Sequence, residues 1–196
     1  MKRTSLLLVL SVLSLAACSN GLSVGSELKE KIENPLYAKR YYEDLVDHMV
    51  NLEIQNDPLT ASGATKEIIE DTRITAVEKA KDANAKRQKG LNGTIISDMG
   101  YAHGIVLVLD DSLFLGPDFS VTPGVDLHVY TSTVLDPRDA PFPDATAVDM
   151  GSLKEAYGAQ EYDFPSPPEN QPAYRTFVLW DRALNRIYGF AQLQSW

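Results

Sequence analysis

The chain has 196 residues, enough for one well-buried core with an appendage. Its 18 basic and 27 acidic residues give a formal net charge of −9, a balance that does not suit nucleic acid, where Lys and Arg must neutralise phosphate. The single cysteine excludes a disulfide framework within the chain.

The first residues read Met1-Lys2-Arg3, then an apolar run from Leu6 to Leu15, then Ala16-Ala17-Cys18. That order is a signal peptide. The run is shorter than the roughly 20 apolar residues that a spanning helix needs. Leu15-Ala16-Ala17-Cys18 resembles the bacterial lipobox, whose cysteine takes a thioether-linked diacylglyceryl group and becomes the first residue of the mature protein. The resemblance implies removal of residues 1–17 and a palmitate-type lipid anchor on Cys18. It places the chain in the cell envelope, on the extracytoplasmic side of the outer or cytoplasmic membrane. Ser19 after the cysteine, rather than Asp, permits export to an outer membrane. Each buried methylene adds roughly 0.8 kcal/mol, so two or more acyl chains hold firmly. With the thiol acylated, thiol chemistry is excluded. Loss of Lys2 and Arg3 leaves 16 basic residues against 27 acidic ones, which also disfavours lying flat on anionic lipid.

Residues 18–33 are polar and lack sustained periodicity, which suits a lipidated tether. Asn34-Pro35 then supplies a helix cap followed by proline in the first turn. Behind it Ala38, Tyr42, Leu45, Met49 and Leu52 recur at spacings of four and three, on one helical face that should end before Pro58. A second helix is predicted from about Ala64 to Lys89, with Ile69, Ala76, Ala80 and Ala83 as a thin apolar stripe. Lys86, Arg87 and Lys89 crowd its last turn, where the helix dipole favours cations, and Gly90 ends it. So narrow a stripe buries little area, so this hairpin or stalk, residues 34–90, should lean on the next domain or on a second copy.

From Leu91 the pattern changes to short apolar runs of period two between Gly, Pro, Asp and Asn, the pattern of strands. Strands are expected at Gly93–Ser97, Gly104–Leu109, Ser112–Leu115, Asp126–Ser132, Thr146–Met150, Tyr174–Asp181 and Arg186–Leu193. Asp110-Asp111 is the tightest hairpin turn. The proline-rich stretches 136–144 and 165–172 are loops, because proline lacks the backbone donor of a central strand. The fold class expected is an all-β sandwich over residues 91–196 preceded by a two-helix segment.

Four fragments of this region share their order and spacing with a known family: Gly124-Val-Asp-Leu-His-Val-Tyr130, Gly151-Ser-Leu-Lys154, Gly158-Ala-Gln-Glu-Tyr162 followed by Pro165, and Tyr174-Arg-Thr-Phe-Val-Leu-Trp180. Residues 91–196 thereby resemble the DM-thirteen domain, a small β domain of bacterial surface proteins that accompanies DOMON domains in animals. The resemblance implies electron transfer through a cysteine directly after that tryptophan, acting as a thiol or as a ligand to a prosthetic group. This chain has Asp181 at that position, and a carboxylate has neither the soft ligation nor the redox couple of a thiolate.

Asp181 closes an alternating strand on the same face as Phe177 and Leu179. Either it is exposed at the strand terminus, or it faces inward and pairs with Arg182, Arg175 or Arg186, since an isolated buried charge is very costly. Asp126, His128 and Tyr130 share one strand face and are candidate binding residues, with Trp180 beside them. A histidine and a carboxylate two apart supply two metal ligands, but no recognisable spacing supplies the rest, and no metal is expected. Haem would need axial ligands from Met99, Met150, His103 or His128, and no Cys-x-x-Cys-His attachment exists. There is also no Gly-x-Ser-x-Gly elbow, His-Glu-x-x-His or phosphate-binding Gly-rich loop. These features favour a non-catalytic ligand- or partner-binding module with no cofactor, whose partners are a membrane, through Cys18, and an extracytoplasmic ligand or protein. The alternatives are an electron-transfer domain with a bound prosthetic group and, more weakly, an enzyme whose site is scattered along the chain.

Overall fold

A computed structural model describes residues 25–97 and 99–195. The signal segment and Cys18 lie outside the described residues. Among these residues three α-helices precede a mostly antiparallel β region: α1 (Ser26–Glu33), α2 (Pro35–Ile54) and α3 (Gly63–Lys89). The helices number three where the sequence predicts two. The additional one occupies part of the expected tether, where Ile32 alone packs toward the helical core and leaves no period to read. Glu27 in its first turn and Lys31 in its last oppose the helix dipole.

Asn34 is the pivot of the helical segment. Its side-chain oxygen accepts from the backbone N–H groups of Leu36 and Tyr37 at 3.0 and 3.3 Å, which caps α2. Its amide nitrogen donates to the carbonyl of Leu115 at 2.9 Å. One buried side chain therefore starts α2 and ties it to the β region. Ala38 and Tyr42 of α2 pack on Ala76 and Ala83 of α3. Small residues at those positions let two helices approach closely but bury little. The pair gains further burial by leaning on the sheet, where Leu36 packs with Leu107 and Phe114.

The described residues form ten strands: β1 (Leu91–Thr94), β2 (Ala102–His103), β3 (Ile105–Leu109), β4 (Ser112–Leu115), β5 (Ser120–Val121), β6 (Leu127–Ser132), β7 (Val148–Ser152), β8 (Gln160–Asp163), β9 (Thr176–Asp181) and β10 (Arg186–Gln192). They form two four-stranded sheets, ordered β1-β3-β4-β8 and β10-β9-β6-β7, and a small β2-β5 pair. The β3–β4 hairpin turns at Asp110-Asp111, with Asp110 at a φ of 52°, a left-handed conformation that Asp tolerates better than most residues. Both large sheets feed one core, in which Val106, Val108, Leu113 and Leu115 meet Val129, Phe177, Leu179 and Ala191.

Strands β2, β5 and β8 lie outside the predicted set. Two of them are only two residues long. β8 reads Gln-Glu-Tyr-Asp, with Gln160 and Tyr162 buried and Glu161 and Asp163 exposed. Its inward glutamine is satisfied by the backbone of Glu155, through bonds of 2.6 and 3.0 Å, and polarity at that position hides the alternation. No described helix is long and apolar enough to cross a membrane.

Candidate functional site

The sheet β10-β9-β6-β7 has an inner face in the shared core and an outer face beneath the loop 133–147. Alternation along β9 decides which residue goes where: Phe177 and Leu179 enter the shared core, while Val178 and Trp180 join an outer cluster with Tyr130, Phe142 and Phe190. The carboxylate of Asp144 anchors the loop by accepting from the Ser132 hydroxyl at 2.7 Å and from the Thr146 backbone at 2.8 Å. Phe142 then lies edge-on to both Tyr130 and Trp180, with centroids 5.5 and 5.1 Å away.

Asp181 is 0 % exposed, so the strand-terminus alternative is overturned. Its partners are not arginines either. One carboxylate oxygen accepts from the Val125 N–H at 2.7 Å and the other from the Leu184 N–H at 3.0 Å. Burial pushes this carboxyl up, but the backbone donors of Leu184, Val125, Asp126 and Ala183 outweigh it and hold the group below the ordinary Asp value. The approach also requires Gly124, since a Cβ there would collide with the carboxylate and lie 2.8 Å from Leu127 Cγ. Asp181 thus clasps two loops, one before β6 and one between β9 and β10. Sequence distance concealed this arrangement, because backbone donors carry no residue signature.

Arg182 is instead committed to Asp126, with Nε 2.9 Å from Oδ2, and reaches Asp149 at 3.6 Å. The three residues expected on one face of β6 do meet, and β7 completes their surroundings. His128 lies directly across from Ser152, and Tyr130 across from Asp149. The imidazole Nδ1 is 2.9 Å from Asp149 Oδ1, while Nε2 is 3.0 Å from Ser152 Oγ and 3.4 Å from Asp126 Oδ1. Burial raises the Asp149 carboxyl, but His128, the Gly151 N–H and Tyr130 together hold it below its usual range. Burial, and then the Asp149 carboxylate, push the Tyr130 phenol up.

This order of serine, histidine and aspartate has the connectivity of a nucleophile with an oriented base. Asp126 competes with Ser152 for the same Nε2, and Arg182 draws on both carboxylates, so the cluster acts as an electrostatic knot tying β6, β7 and the β9–β10 loop. Asp149 and Ser152 were missed by sequence reasoning. Pairing the strand 146–150 with 126–132 would have found Asp149, whereas Ser152 lies past the predicted end of that strand.

Trp180 faces His128 across β6–β9 and is buried with the outer aromatic cluster. A family model described as Electron transfer DM13 matches residues 96–193, half of the chain. The chain belongs to this family. No curated protein and no solved structure matches it.

The DM13 region holds every strand from β2 to β10 and the whole outer face of the second sheet. Its resemblance-based cysteine position is Asp181, and the carboxylate there does not fit the role of ligand to a prosthetic group. Both oxygens already accept backbone hydrogen bonds, and no surface of the residue is left open. The proposed haem ligands are dispersed: His128 has both ring nitrogens in polar contact, Met150 packs against the shared core, and His103 is exposed on β2. Among the described residues no cluster of three or more His, Cys, Asp or Glu side chains is arranged to hold a metal ion.

Proposed function

We propose that this DM13 domain is of the electron-transfer type and works with a redox group it binds or meets, because it has no thiol of its own on β9. The observation that carries this reading is the family match over 96–193, set beside an Asp181 whose oxygens are consumed by the backbone. The sequence alone favours a binding module without redox chemistry, and membership in an electron-transfer family shifts the weight away from it. The two large sheets, on this reading, face each other as a sandwich that holds the outer aromatic face rigid. The lipobox resemblance supports acylation of Cys18 and display on the extracytoplasmic side of a membrane.

The test is a visible absorption spectrum of the protein purified from its native host, followed by a redox titration. A chromophore that bleaches and recovers reversibly is the expected result. A colourless protein that also fails to exchange electrons with flavin or haem mediators would reject electron transfer. The binding-module reading expected from the sequence would then take its place.

A further inference from the structure

At one edge of the second sheet, β10 carries a bulge between Ile187 and Gly189, beside its isolated bridge to Ile96. Bulges re-aim side chains at sheet edges. Here the Ser97 hydroxyl donates to the Tyr188 carbonyl at 2.7 Å, which fixes the bulge and opens a groove of about 290 Å³ whose lining includes Met99, Tyr101, Arg138, Arg186 and Phe190. The volume is at the lower end of what small-molecule sites occupy, roughly 300 Å³ and above.

The groove combines flat rings with guanidinium groups. Tyr101 and Tyr188 are tilted against each other with centroids 5.1 Å apart. The Arg186 guanidinium lies 4.9 Å over the Tyr101 ring, and that of Arg138 lies 4.7 Å over the Phe190 ring. Arg138 is neutralised by Asp136 at 2.6 Å. Among the described residues Arg186 makes no ion pair, although the chain carries a net charge of −9. Met99 and Ile96, 64 % and 44 % exposed, add polarizable and apolar surface at the rim.

We infer that this groove binds a planar conjugated anion, with its ring system against Tyr101 and Met99 and its carboxylate or phosphate on Arg186. A guanidinium already stacked on a ring keeps its edge donors free for an oxyanion, so the same residue serves platform and charge. The groove lies wholly within the residues matched to the family. Arg186 is the cross-strand neighbour of Asp181 in the β9–β10 ladder, but its guanidinium lies over Tyr101 and makes no ion pair with that carboxylate. The inference rests on the electron-transfer reading only for the redox activity of the ligand, and its binding is measured separately.

The test uses flavin mononucleotide and riboflavin, which share a ring system and differ in one phosphate, with haemin as a dicarboxylate of a second ring type. Binding is followed by quenching of ligand or tryptophan fluorescence. Flavin mononucleotide should bind saturably and roughly tenfold more tightly than riboflavin, the scale of one charge-assisted contact. Arg186→Gln should erase that ratio while leaving riboflavin unchanged, and Tyr101→Leu should weaken both. Haemin should compete, and Arg186→Gln should weaken it too. Equal affinity for the two flavins, an unchanged ratio in Arg186→Gln, or no saturable binding of either flavin mononucleotide or haemin would overturn the site. A redox-active native protein whose chromophore survives Arg186→Gln and Tyr101→Leu would reject this groove and leave the electron-transfer reading intact. Binding here by a redox-silent protein would do the reverse.

Discussion

Asp181 shows how one residue can keep a position and lose a chemistry. Its carboxylate binds backbone donors of two loops, and a group that accepts several hydrogen bonds is poorly replaced by one that donates. Asp181→Asn presents an NH2 group to one of those N–H donors, and Asp181→Cys removes both strong acceptors. Each is expected to lower stability at neutral pH by about 1–3 kcal/mol, the scale for a buried donor left unsatisfied, measured as a shift in urea midpoint. Because the folded carboxyl titrates below its ordinary value of 3.8, its stabilisation is complete above that value and fades as pH falls toward the folded one. The gap between wild type and Asp181→Asn should therefore close in acid. A gap that persists unchanged once the pH is low enough to protonate the folded carboxyl as well would contradict the clasp. The sequence placed Asp181 on the face of Phe177 and Leu179 by simple alternation. Its partners were not legible, since main-chain N–H groups, one 56 positions away and one three residues on, leave no trace in a pattern of side chains.

At the scale of elements, Asn34 ties the helical segment to the β region beside the small cluster of Leu36, Leu107 and Phe114. The Asn-Pro pair and the spacing of Ala38, Tyr42 and Leu45 made the start of α2 legible, and the period-two runs did the same for β3, β4, β6 and β9. Legibility failed where burial is achieved with polar residues, as at Gln160 in β8, or where one apolar residue suffices, as at Ile32 in α1. The second role of Asn34, its bond to Leu115, also needed three dimensions. Asn34→Asp keeps the cap on Leu36 and Tyr37 but loses the donor to Leu115, whereas Asn34→Ala loses both. Stability should fall in that order, with a loss of about 1 kcal/mol for the cap alone. Hydrogen exchange should show the first turn of α2 opening in Asn34→Ala while β6 and β9 stay protected. Wild-type stability of Asn34→Asp would show that the tie to Leu115 contributes nothing to docking the helices.

For the molecule as a whole, charge and anchor make a joint prediction. The whole chain has 27 acidic residues against 18 basic ones, and the signal removal proposed from the lipobox resemblance would leave 16 basic ones. Such a balance is repelled by anionic headgroups, and each basic residue near such a surface is worth only about 1 kcal/mol. No described helix is long and apolar enough to cross a membrane. Acyl chains on Cys18 would then have little help from the folded part in holding the protein in place. Cys18→Ala should abolish labelling by a clickable fatty acid and move the protein from the membrane fraction to the soluble one, while Lys154→Glu, a surface charge change within the β region, should leave fractionation unaltered. The release should be insensitive to salt, because no electrostatic contact substitutes for the lipid. Equal labelling and equal membrane retention of wild type and Cys18→Ala would show that something other than this cysteine holds the protein at the envelope, and the display of the DM13 groove toward the exterior would lose its support.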